Sequence, residues 1–390
     1  IGGITLKIGG IIAEYNPFHN GHLYQIDTLK REYGVTHVVV VMSGNYVQRG
    51  DVAIVDKFKR SKMAIYGGAD LVLELPVVYA LSSAEYFANA GVHILDSLNC
   101  VDLLSFGSTA DIDTIKTIAE LSNSIRNSPE VLNLIKLGYT FPMALSTVMS
   151  EYSEVLNEPN NVLGLEYVRA ILKHSSNIVP TTITRKHVMH HSTKAVENFA
   201  SASYIRSSIA EGLDVKDYLT EYSYNVIQSS KTTNIDSLEQ AILYRCRTAT
   251  TEQIANTPDV SQGLEYRISK AIRQSTSVNQ LLNAIKTKRY TLARLRRILL
   301  NLLLNITKQD LETPPPYARV LAMNRKGIEV LSKAKLSATI PIGTSLAKLE
   351  KSSTQAERLA YLETTSTDIY NLSNGSICGL DYTTPIKPID

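Results

Sequence analysis

The sequence predicts an α/β protein in which a parallel-sheet domain is followed by a mainly helical C-terminal region. In the first third of the chain, short β-branched runs alternate with segments of ten or more residues that have helical spacing. This alternation is typical of βαβ units, whose parallel sheet is covered by helices on both faces. Beyond about Gly212 the apolar spacing is mostly helical. We therefore predict two regions, residues 1–212 and 213–390, as expected for 390 residues at roughly 150 per domain.

Each element of the first region has its own signal. The strands are predicted where apolar and β-branched residues form runs, at 8–15, 35–43, 70–75, 101–107 and 177–184. The helices are predicted where apolar residues recur every three or four positions, at 22–32, 55–66, 82–98, 111–126 and 201–211. Between the fourth strand and the last one, segment 127–167 is also mostly helical.

The second region is predicted to be helical up to a proline-rich break. Its helices are expected at 237–248, 264–274, 277–286 and 291–306. The sequence TPPPY at 313–317 ends this run, because proline lacks a backbone donor and clashes with the preceding turn. The last 70 or so residues carry only a weak pattern.

Composition excludes several classes of protein. The chain has 40 Lys and Arg against 37 Asp and Glu, so it is not a polycation, although a local basic patch is compatible with this balance. Its three cysteines, Cys100, Cys246 and Cys378, lie far apart, which argues against a disulfide scaffold and against a cysteine-rich zinc site. No apolar run approaches the roughly 20 residues of a membrane span. We therefore expect a cytoplasmic protein.

The strongest functional signal is the sequence EYNPFHNGHL at 14–23, where the first strand ends and a helix begins. A helix N-terminus offers free N–H groups and the positive end of a dipole, which together favour an anion. Gly21 has no side chain, so a nucleotide can approach its backbone. His19 and His22 are three residues apart and can face one phosphate, where they would stabilise charge without forming a covalent intermediate.

Other polar groups follow later strands. Gly107 ends the fourth strand and would allow close approach of a nucleotide, and Arg185 follows the fifth strand with a planar fork of donors suited to a phosphate or adenine. Ser203 and Arg206, three apart at another helix start, can both meet phosphates. The loop after the second strand, with Gln48 and Arg49, is expected at the ligand-binding edge of the sheet, and we predict that Arg49 and Lys57 act near the phosphates or the acid substrate. The cluster His187, His190 and His191 is interpreted as a polar loop, and no metal site is predicted.

Several ordered blocks, from about residue 7 to beyond residue 325, resemble the tRNA(Met) cytidine acetate ligase family within the HxGH nucleotidyltransferases. They are GIIAEYNPFHNGH, MSGNYVQRGDVAIVDKFKRSKMA, GADLVLELP, FGS, PNNVLGLEY, ASASYIR and TKRYTLARLRR. The resemblance implies that His19, His22 and Lys57 are catalytic and that Asn160 or Asn161 contacts the nucleotide. The predicted ATP-binding residues are Ile12, Ala13, Glu14, Tyr15, Asn16, Pro17, Phe18, His19, Asn20, Gly21, His22, Leu23, Tyr24, Gln25, Gly107, Asn160, Asn161, Arg185, Ser203 and Arg206.

A basic segment indicates RNA binding. Ten Lys and Arg residues lie between Arg267 and Lys308, without an Asp or Glu. Solvated faces usually mix both signs, so a surface for RNA phosphates explains this bias better than a plain core helix. On helix 291–306 the leucines form one stripe, and Arg294 and Arg297 fall on the opposite face. The predicted tRNA-binding residues are Lys286, Lys288, Arg289, Tyr290, Arg294 and Arg297. Replacing Arg294 and Arg297 is expected to weaken tRNA binding and to leave adenylate formation intact.

The family resemblance implies an ATP-dependent ligase that forms acetyl-adenylate from acetate and acetylates N4 of the wobble cytidine of elongator tRNA(Met). Mg²⁺ is expected with the triphosphate, held mostly by phosphate oxygens and water. Two alternatives stay open. A small-molecule adenylyl- or cytidylyltransferase would need no basic RNA surface, and a non-catalytic RNA-binding protein would not need both motif histidines.

Overall fold

The computed structural model of the chain describes residues 6–137, 139–184, 198–261, 263–287 and 289–390. One mixed sheet runs through the molecule, and a short hairpin, β3–β4, stands apart from it. In chain order the strands are β1 (Ile8–Ala13), β2 (His37–Ser43), β3 (Tyr46–Val47), β4 (Asp51–Val52), β5 (Leu71–Leu75), β6 (Leu103–Ser108), β7 (Val179–Thr184), β8 (Ala318–Asn324), β9 (Ile342–Gly343) and β10 (Pro388–Ile389).

The order of strands in the sheet creates a binding crevice. The path is β10-β8-β5-β2-β1-β6-β7, with β9 beside β8, and the five strands from β5 to β7 are parallel. Strands β2 and β5 lie on one side of β1. The next strand of the sheet in the chain, β6, lies on the other side of β1. Ligands of open α/β sheets bind where the order reverses, outside the carboxyl ends of the strands. The crevice is therefore expected between the ends of β1 and β6.

Helices cover the sheet and form the rest of the chain. They are α1 (Asn20–Glu32), α2 (Lys57–Tyr66), α3 (Val77–Ala80), α4 (Ala84–Ser97), α5 (Ile112–Ile125), α6 (Pro129–Lys136), α7 (Phe141–Val148), α8 (Ser153–Asn157), α9 (Pro159–His174), α10 (Ala202–Ala210), α11 (Glu221–Gln228), α12 (Glu239–Thr248), α13 (Thr251–Ala255), α14 (Leu264–Ile272), α15 (Val278–Ile285), α16 (Leu292–Leu303), α17 (Arg325–Ala334), α18 (Leu346–Leu349), α19 (Thr354–Asn374) and α20 (Leu380–Thr383). Among the described helices, none is both long and apolar enough to cross a bilayer.

The apolar residues of the sheet divide between two cores. Along β2, Val39 and Val41 belong to one buried cluster, and Val38 and Val40 belong to the other. Successive strand residues point to opposite faces, so an unbroken apolar strand such as β2 must be covered on both sides. The first cluster continues into the helices of the second region, for example through Leu295 of α16. The C-terminal helices thus pack on the same sheet that positions the candidate site.

The predicted fold class is confirmed, and so are the five strands predicted for the first region. Helix α1 begins at Asn20, two residues before the predicted start, because His19 caps it. The four helices predicted at 237–306 are also confirmed. The sequence did not predict β8, β10 or the long helix α19. The boundary near Gly212 stays a prediction, and β8 and β10 from beyond it join the sheet of the first region.

Candidate active site

A cavity of about 460 Å³ lies at the carboxyl edge of the sheet, at the reversal between β1 and β6. Its volume is within the range of small-molecule sites. Most of the predicted ATP-binding residues lie in its wall: Ile12, Ala13, Glu14, Tyr15, Asn16, His19, Gly21, His22, Tyr24, Gln25, Gly107, Asn160, Ser203 and Arg206. The cavity therefore gathers residues from sequence positions nearly 200 apart.

The remaining predicted residues lie behind the wall or beyond the described chain. Phe18 is fully buried, with its ring edge against Tyr15. Asn20 turns away and donates hydrogen bonds to the carbonyls of Asn198 and Asp217, at 3.0 and 2.9 Å. Pro17, Leu23 and Asn161 also stand outside the cavity lining. Arg185 and the cluster His187, His190 and His191 lie outside the described residues.

The two motif histidines form a reciprocal cap on helix α1. His19 Nδ1 accepts a hydrogen bond from the N–H of Gly21 at 3.1 Å, and His22 Nδ1 accepts one from the N–H of His19 at 3.2 Å. The two rings stack, with centroids 3.7 Å apart. Because both Nδ1 atoms accept, each neutral imidazole carries its proton on Nε2. The pair therefore presents Nε2–H donors at a helix N-terminus.

Gly21 is required by this cap. A Cβ at position 21 would lie 2.9 Å from Cε1 and 3.1 Å from Nδ1 of the His19 ring. The ring would then have to move away from the helix end that it caps. Tyr15, just before the motif, has a φ of 47°, which non-glycine residues rarely adopt. Backbone strain of this kind concentrates at binding and catalytic sites.

A second helix N-terminus faces the cavity from α10. Ser201 Oγ caps this helix by accepting from the N–H of Tyr204 at 3.1 Å, and the hydroxyls of Ser201 and Ser203 lie 3.0 Å apart. Arg206, one turn along, donates through Nη1 to the carbonyl of Asn16 at 2.7 Å. This bond ties α10 to the turn that follows β1. Two helix dipoles and the guanidinium of Arg206 thus converge on the same cavity, an arrangement suited to a polyphosphate.

The asparagine pair at the start of α9 divides into two roles. Asn160 lines the cavity. Asn161 is buried, and its Oδ1 accepts from the Ser108 hydroxyl at 2.9 Å and from the N–H of Thr109 at 3.0 Å. It therefore holds the end of β6, where Gly107 approaches the cavity. This position favours Asn160 as the residue that contacts a nucleotide.

Gln48 and Arg49, which the sequence analysis expects near the ligand, lie in the cavity wall, and two aromatic lining residues, Phe87 and Tyr167, were missed. Gln48 and Arg49 come from the loop between β3 and β4, Phe87 from α4, and Tyr167 from α9. The N–H of Gln48 donates to Glu14 Oε1 at 2.7 Å. Burial lowers the pKa of Arg49, an effect that the nearby Glu14 opposes. The aromatic residues had no local signal, because only packing of α4 and α9 on the sheet brings them to the cavity.

Lys57, predicted to be catalytic near the phosphates or the acid substrate, lies outside the cavity lining. Its ammonium is fully buried, 2.5 Å from Glu74, 2.9 Å from Glu363 and 2.8 Å from Asp381. Burial alone would lower the pKa of Lys57, but these three carboxyl groups raise it above its ordinary value. An ammonium held by three carboxyl groups favours a structural role for Lys57, and its predicted catalytic role stays a prediction.

Arg319 completes this buried charge cluster, which we define as Lys57, Glu74, Arg319, Glu363 and Asp381. Arg319 bridges Asp381 and Glu74, the latter at 3.1 Å. Burial, followed by the neighbouring Glu74, raises the pKa of Glu363 to about 8. With a proton on Glu363, two cations face two carboxylates. The cluster joins α2 and β5 of the first region to β8, α19 and α20 of the second.

The basic segment is only partly exposed. Lys286 and Arg289 are exposed, and Arg289 Nε donates to the carbonyl of Leu137 at 2.7 Å.

The Arg294 guanidinium lies 5.0 Å from the centre of the Tyr290 ring and donates to the carbonyl of Asp259. Lys288 lies outside the described residues. The predicted solvent-facing position of Arg297 is wrong: its exposed fraction is 6%.

Among the described residues, no group of three or more His, Cys, Asp or Glu side chains has an arrangement that could hold a metal ion. The cavity wall does contain hydrogen-bond donors, among them Ser203 and Arg206, which suit phosphate oxygens.

Comparison with known proteins shows that the similarity of this chain to other proteins covers much more than the HNGH turn. A family model described as HIGH Nucleotidyl Transferase matches residues 6–382. A tRNA(Met) cytidine acetate ligase from Thermoanaerobacter sp. is 40% identical over 401 aligned positions, covering 98% of this chain and 99% of that protein. Its namesake from Clostridium perfringens is 37% identical, covering 95% and 96% of the two chains.

Solved structures show the same fold. The apo crystal structure of Thermotoga maritima TmcAL matches with a TM-score of 0.90 at 30% identity, covering 97% of this chain and 98% of that one. The structure of the same protein bound with alpha-thio ATP matches with a TM-score of 0.89. The likeness therefore includes the sheet, its helical cover and the C-terminal region together.

Proposed function

Because this chain belongs to the tRNA(Met) cytidine acetate ligase family, we propose that it activates acetate as acetyl-adenylate and transfers the acetyl group to N4 of the wobble cytidine of elongator tRNA(Met). The observation that carries the proposal is the cavity at the sheet reversal. There the capped histidine pair, Ser203 and Arg206 lie beside two helix N-termini. The relatives' names supply the substrates, and the reaction is expected in the cytoplasm, where tRNA is found.

In the first half-reaction an acetate oxygen attacks the α-phosphorus of ATP. A new bond forms between acetate oxygen and phosphorus, and the bond from that phosphorus to the bridging oxygen of pyrophosphate breaks. The Nε2–H groups of His19 and His22 donate to oxygens that gain charge as pyrophosphate leaves. Ser203 and Arg206 hold the outgoing phosphates at the second helix end. Positioning and charge stabilisation supply the catalysis, so no covalent enzyme intermediate is needed.

In the second half-reaction the N4 amine of cytidine attacks the acetyl carbonyl. A carbon–nitrogen bond forms, the bond between the carbonyl carbon and the AMP oxygen breaks, and the amine loses a proton to solvent. AMP is a good leaving group, so the protein mainly has to hold the two reactants together. The basic segment adjoins the cavity through α16, which packs on the loop that carries Gln48 and Arg49.

Mg²⁺ is expected to enter with ATP. The described residues offer no cage of carboxylates or imidazoles for it. Mg²⁺ commonly keeps several waters and binds substrate phosphates in such sites. The ion would therefore be held by phosphate oxygens and water, and would neutralise part of the triphosphate charge.

Pyrophosphate exchange tests the first half-reaction. The purified chain, with ATP and labelled pyrophosphate, is expected to move label into ATP when acetate is added and not without it. Exchange that needs no carboxylic acid would point to a small-molecule nucleotidyltransferase. The absence of exchange from a folded protein that binds ATP would favour a non-catalytic RNA-binding protein.

The exposed part of the basic segment should determine the affinity for tRNA. Replacing Lys286 and Arg289 together with Ala is expected to weaken tRNA(Met) binding and to reduce the slope of log affinity against log salt by about 2, one per phosphate contact. Binding isotherms at several salt concentrations measure both effects. The matched control is Arg31→Ala with Arg325→Ala. Both arginines are exposed and lie near the amino ends of the parallel strands, whereas the cavity lies at their carboxyl ends. Equal effects of the two pairs would place the RNA surface elsewhere.

A further inference from the structure

Helix α16 rests directly on the loop between β3 and β4. Gly50 in that loop has a φ of 73°. A Cβ at this position would lie 2.6 Å from Cβ of Arg296, 2.7 Å from the backbone nitrogen of Arg297 and 2.8 Å from the carbonyl oxygen of Ala293. Glycine is therefore required both by the backbone conformation and by the close approach of the helix. The helix that the sequence assigns to tRNA touches the loop that lines the candidate ATP cavity.

Arg297 makes the polar connection between them. Its Nη1 donates to the carbonyl of Gln48 at 3.1 Å, and its Nε donates to Asp259 Oδ2 at 2.7 Å. Asp259 has a φ of 67° and is fixed from a second side, because its carbonyl accepts both Nε and Nη2 of Arg294. Such strain persists only where the surroundings hold it. The guanidinium of Arg297 is thus locked in one orientation before it reaches Gln48.

Gln48 passes this constraint on to the cavity. Its N–H donates to Glu14 Oε1 at 2.7 Å, and Gln48, Arg49 and Glu14 all line the cavity. The strands that flank the loop, β3 and β4, have only two residues each. Backbone bonds from the Gly50 N–H to the Val47 carbonyl and from the Ala53 N–H to the Asn45 carbonyl, both 2.9 Å, close the hairpin, and neither holds the carbonyl of Gln48. The position of Gln48 and Arg49 therefore depends on the hydrogen bonds that Arg297 and Glu14 make to the backbone of Gln48.

We propose that Arg297 is a positioning residue for the ATP cavity, which it shapes by holding the backbone of Gln48 and thereby the side chain of Arg49. This inference deepens the proposed function, on which its link to adenylate formation rests. The sequence analysis expects Arg297 to contact RNA, and it expects adenylate formation to survive the loss of Arg297. The inference revises both expectations. Catalytic geometry has to be kept within about 0.5 Å, so a loosened wall costs ATP affinity and rate.

Arg297→Met tests this role because it keeps much of the side-chain volume and removes both polar bonds. The dissociation constant of ATP, measured by calorimetry without acetate or tRNA, is expected to rise about tenfold or more. Arg297→Lys keeps the charge beside Asp259 but cannot bridge two partners in the same geometry, so a smaller loss is expected. The matched control is Arg267→Met, whose guanidinium also donates to backbone carbonyls, those of Ile285 and Ala284, away from the loop.

Calorimetry separates this inference from the proposed function, since ATP binding is read without the acetylation reaction. An Arg297→Met protein that binds ATP as the Arg267→Met protein does, and loses only tRNA affinity, would overturn the positioning role. If Arg297→Met does not fold, Arg297→Lys and Asp259→Asn decide the question by the same measurement: raised dissociation constants support the inference, and unchanged ones overturn it. If acetate supports pyrophosphate exchange, the KM for ATP in that assay should rise together with the dissociation constant of ATP.

Discussion

Replacing His22 with Ala is expected to lower acetate-dependent pyrophosphate exchange by about 10²- to 10³-fold while the protein stays folded. Loss of one preorganised donor to a charged transition state typically has this effect. His22 presents its Nε2–H to the cavity because its Nδ1 is held by the N–H of His19. Its ring also packs on Tyr15 and Phe18, so the donor is fixed before ATP arrives.

Two further variants separate the donor from the cap. His22→Asn places an acceptor near the position of Nδ1 and offers no donor near Nε2, so it is expected to keep stability and lose exchange. His22→Gln reaches the Nε2 position and should retain more activity. The control, His174→Ala, changes the last residue of α9, about 10 Å along that helix beyond Tyr167, which lines the cavity. Near-normal exchange in a folded His22→Asn protein would refute the phosphate role of His22.

Replacing Lys57 with Met is expected to lower the free energy of unfolding by about 3–5 kcal/mol, the usual cost of breaking a buried ion pair from one side. The substitution leaves Glu74, Glu363 and Asp381 with Arg319 as the remaining buried cation of the cluster. It also weakens the attachment of α19 and α20 to the first region, since Glu363 and Asp381 come from those helices. Denaturant unfolding followed by circular dichroism measures the change.

The control for Lys57 is Lys59→Met, two positions along the same helix. Lys59 is partly exposed and lies 3.5 Å from Asp56, so its loss should change stability by less than about 0.5 kcal/mol. A structural role for Lys57 predicts a loss of stability in Lys57→Met, whereas a catalytic role predicts a loss of pyrophosphate exchange at unchanged stability. A Lys57→Met protein with unchanged stability but without pyrophosphate exchange would restore the catalytic role predicted from sequence.

The sequence was most informative where local chemistry decides structure. The HNGH turn predicts a helix start, and the structure places His19 at the cap of α1. The unbroken apolar run of β2 predicts a strand buried on both faces, and all seven of its residues are buried. Together these signals predict a ligand site at the carboxyl edge of the sheet, because a parallel strand followed by a helix leaves its polar turn there.

The sequence was least informative where distant segments decide a residue's role. Lys57 is in a charged helix start that resembles an active-site rim, and only the packing of α19 and α20 reveals that its ammonium is buried against Glu363 and Asp381. Arg297 has the spacing of a solvent-facing residue, yet Asp259 and Gln48 bury it. Helix α19 has no clean apolar stripe, because polar residues such as Glu363 and Thr367 are buried among its leucines.

The most direct test of the proposed function uses acetate labelled with deuterium, ATP, the purified chain and unmodified elongator tRNA(Met). After ribonuclease digestion, mass spectrometry of the fragment that contains the anticodon is expected to show labelled N4-acetylcytidine at the wobble position, with one AMP and one pyrophosphate formed for each acetyl group transferred. The product should be absent without ATP and with the His22→Asn protein. Unmodified cytidine after incubation with a protein that carries out acetate-dependent pyrophosphate exchange would contradict the account, since it would show acetate activation without transfer to this tRNA.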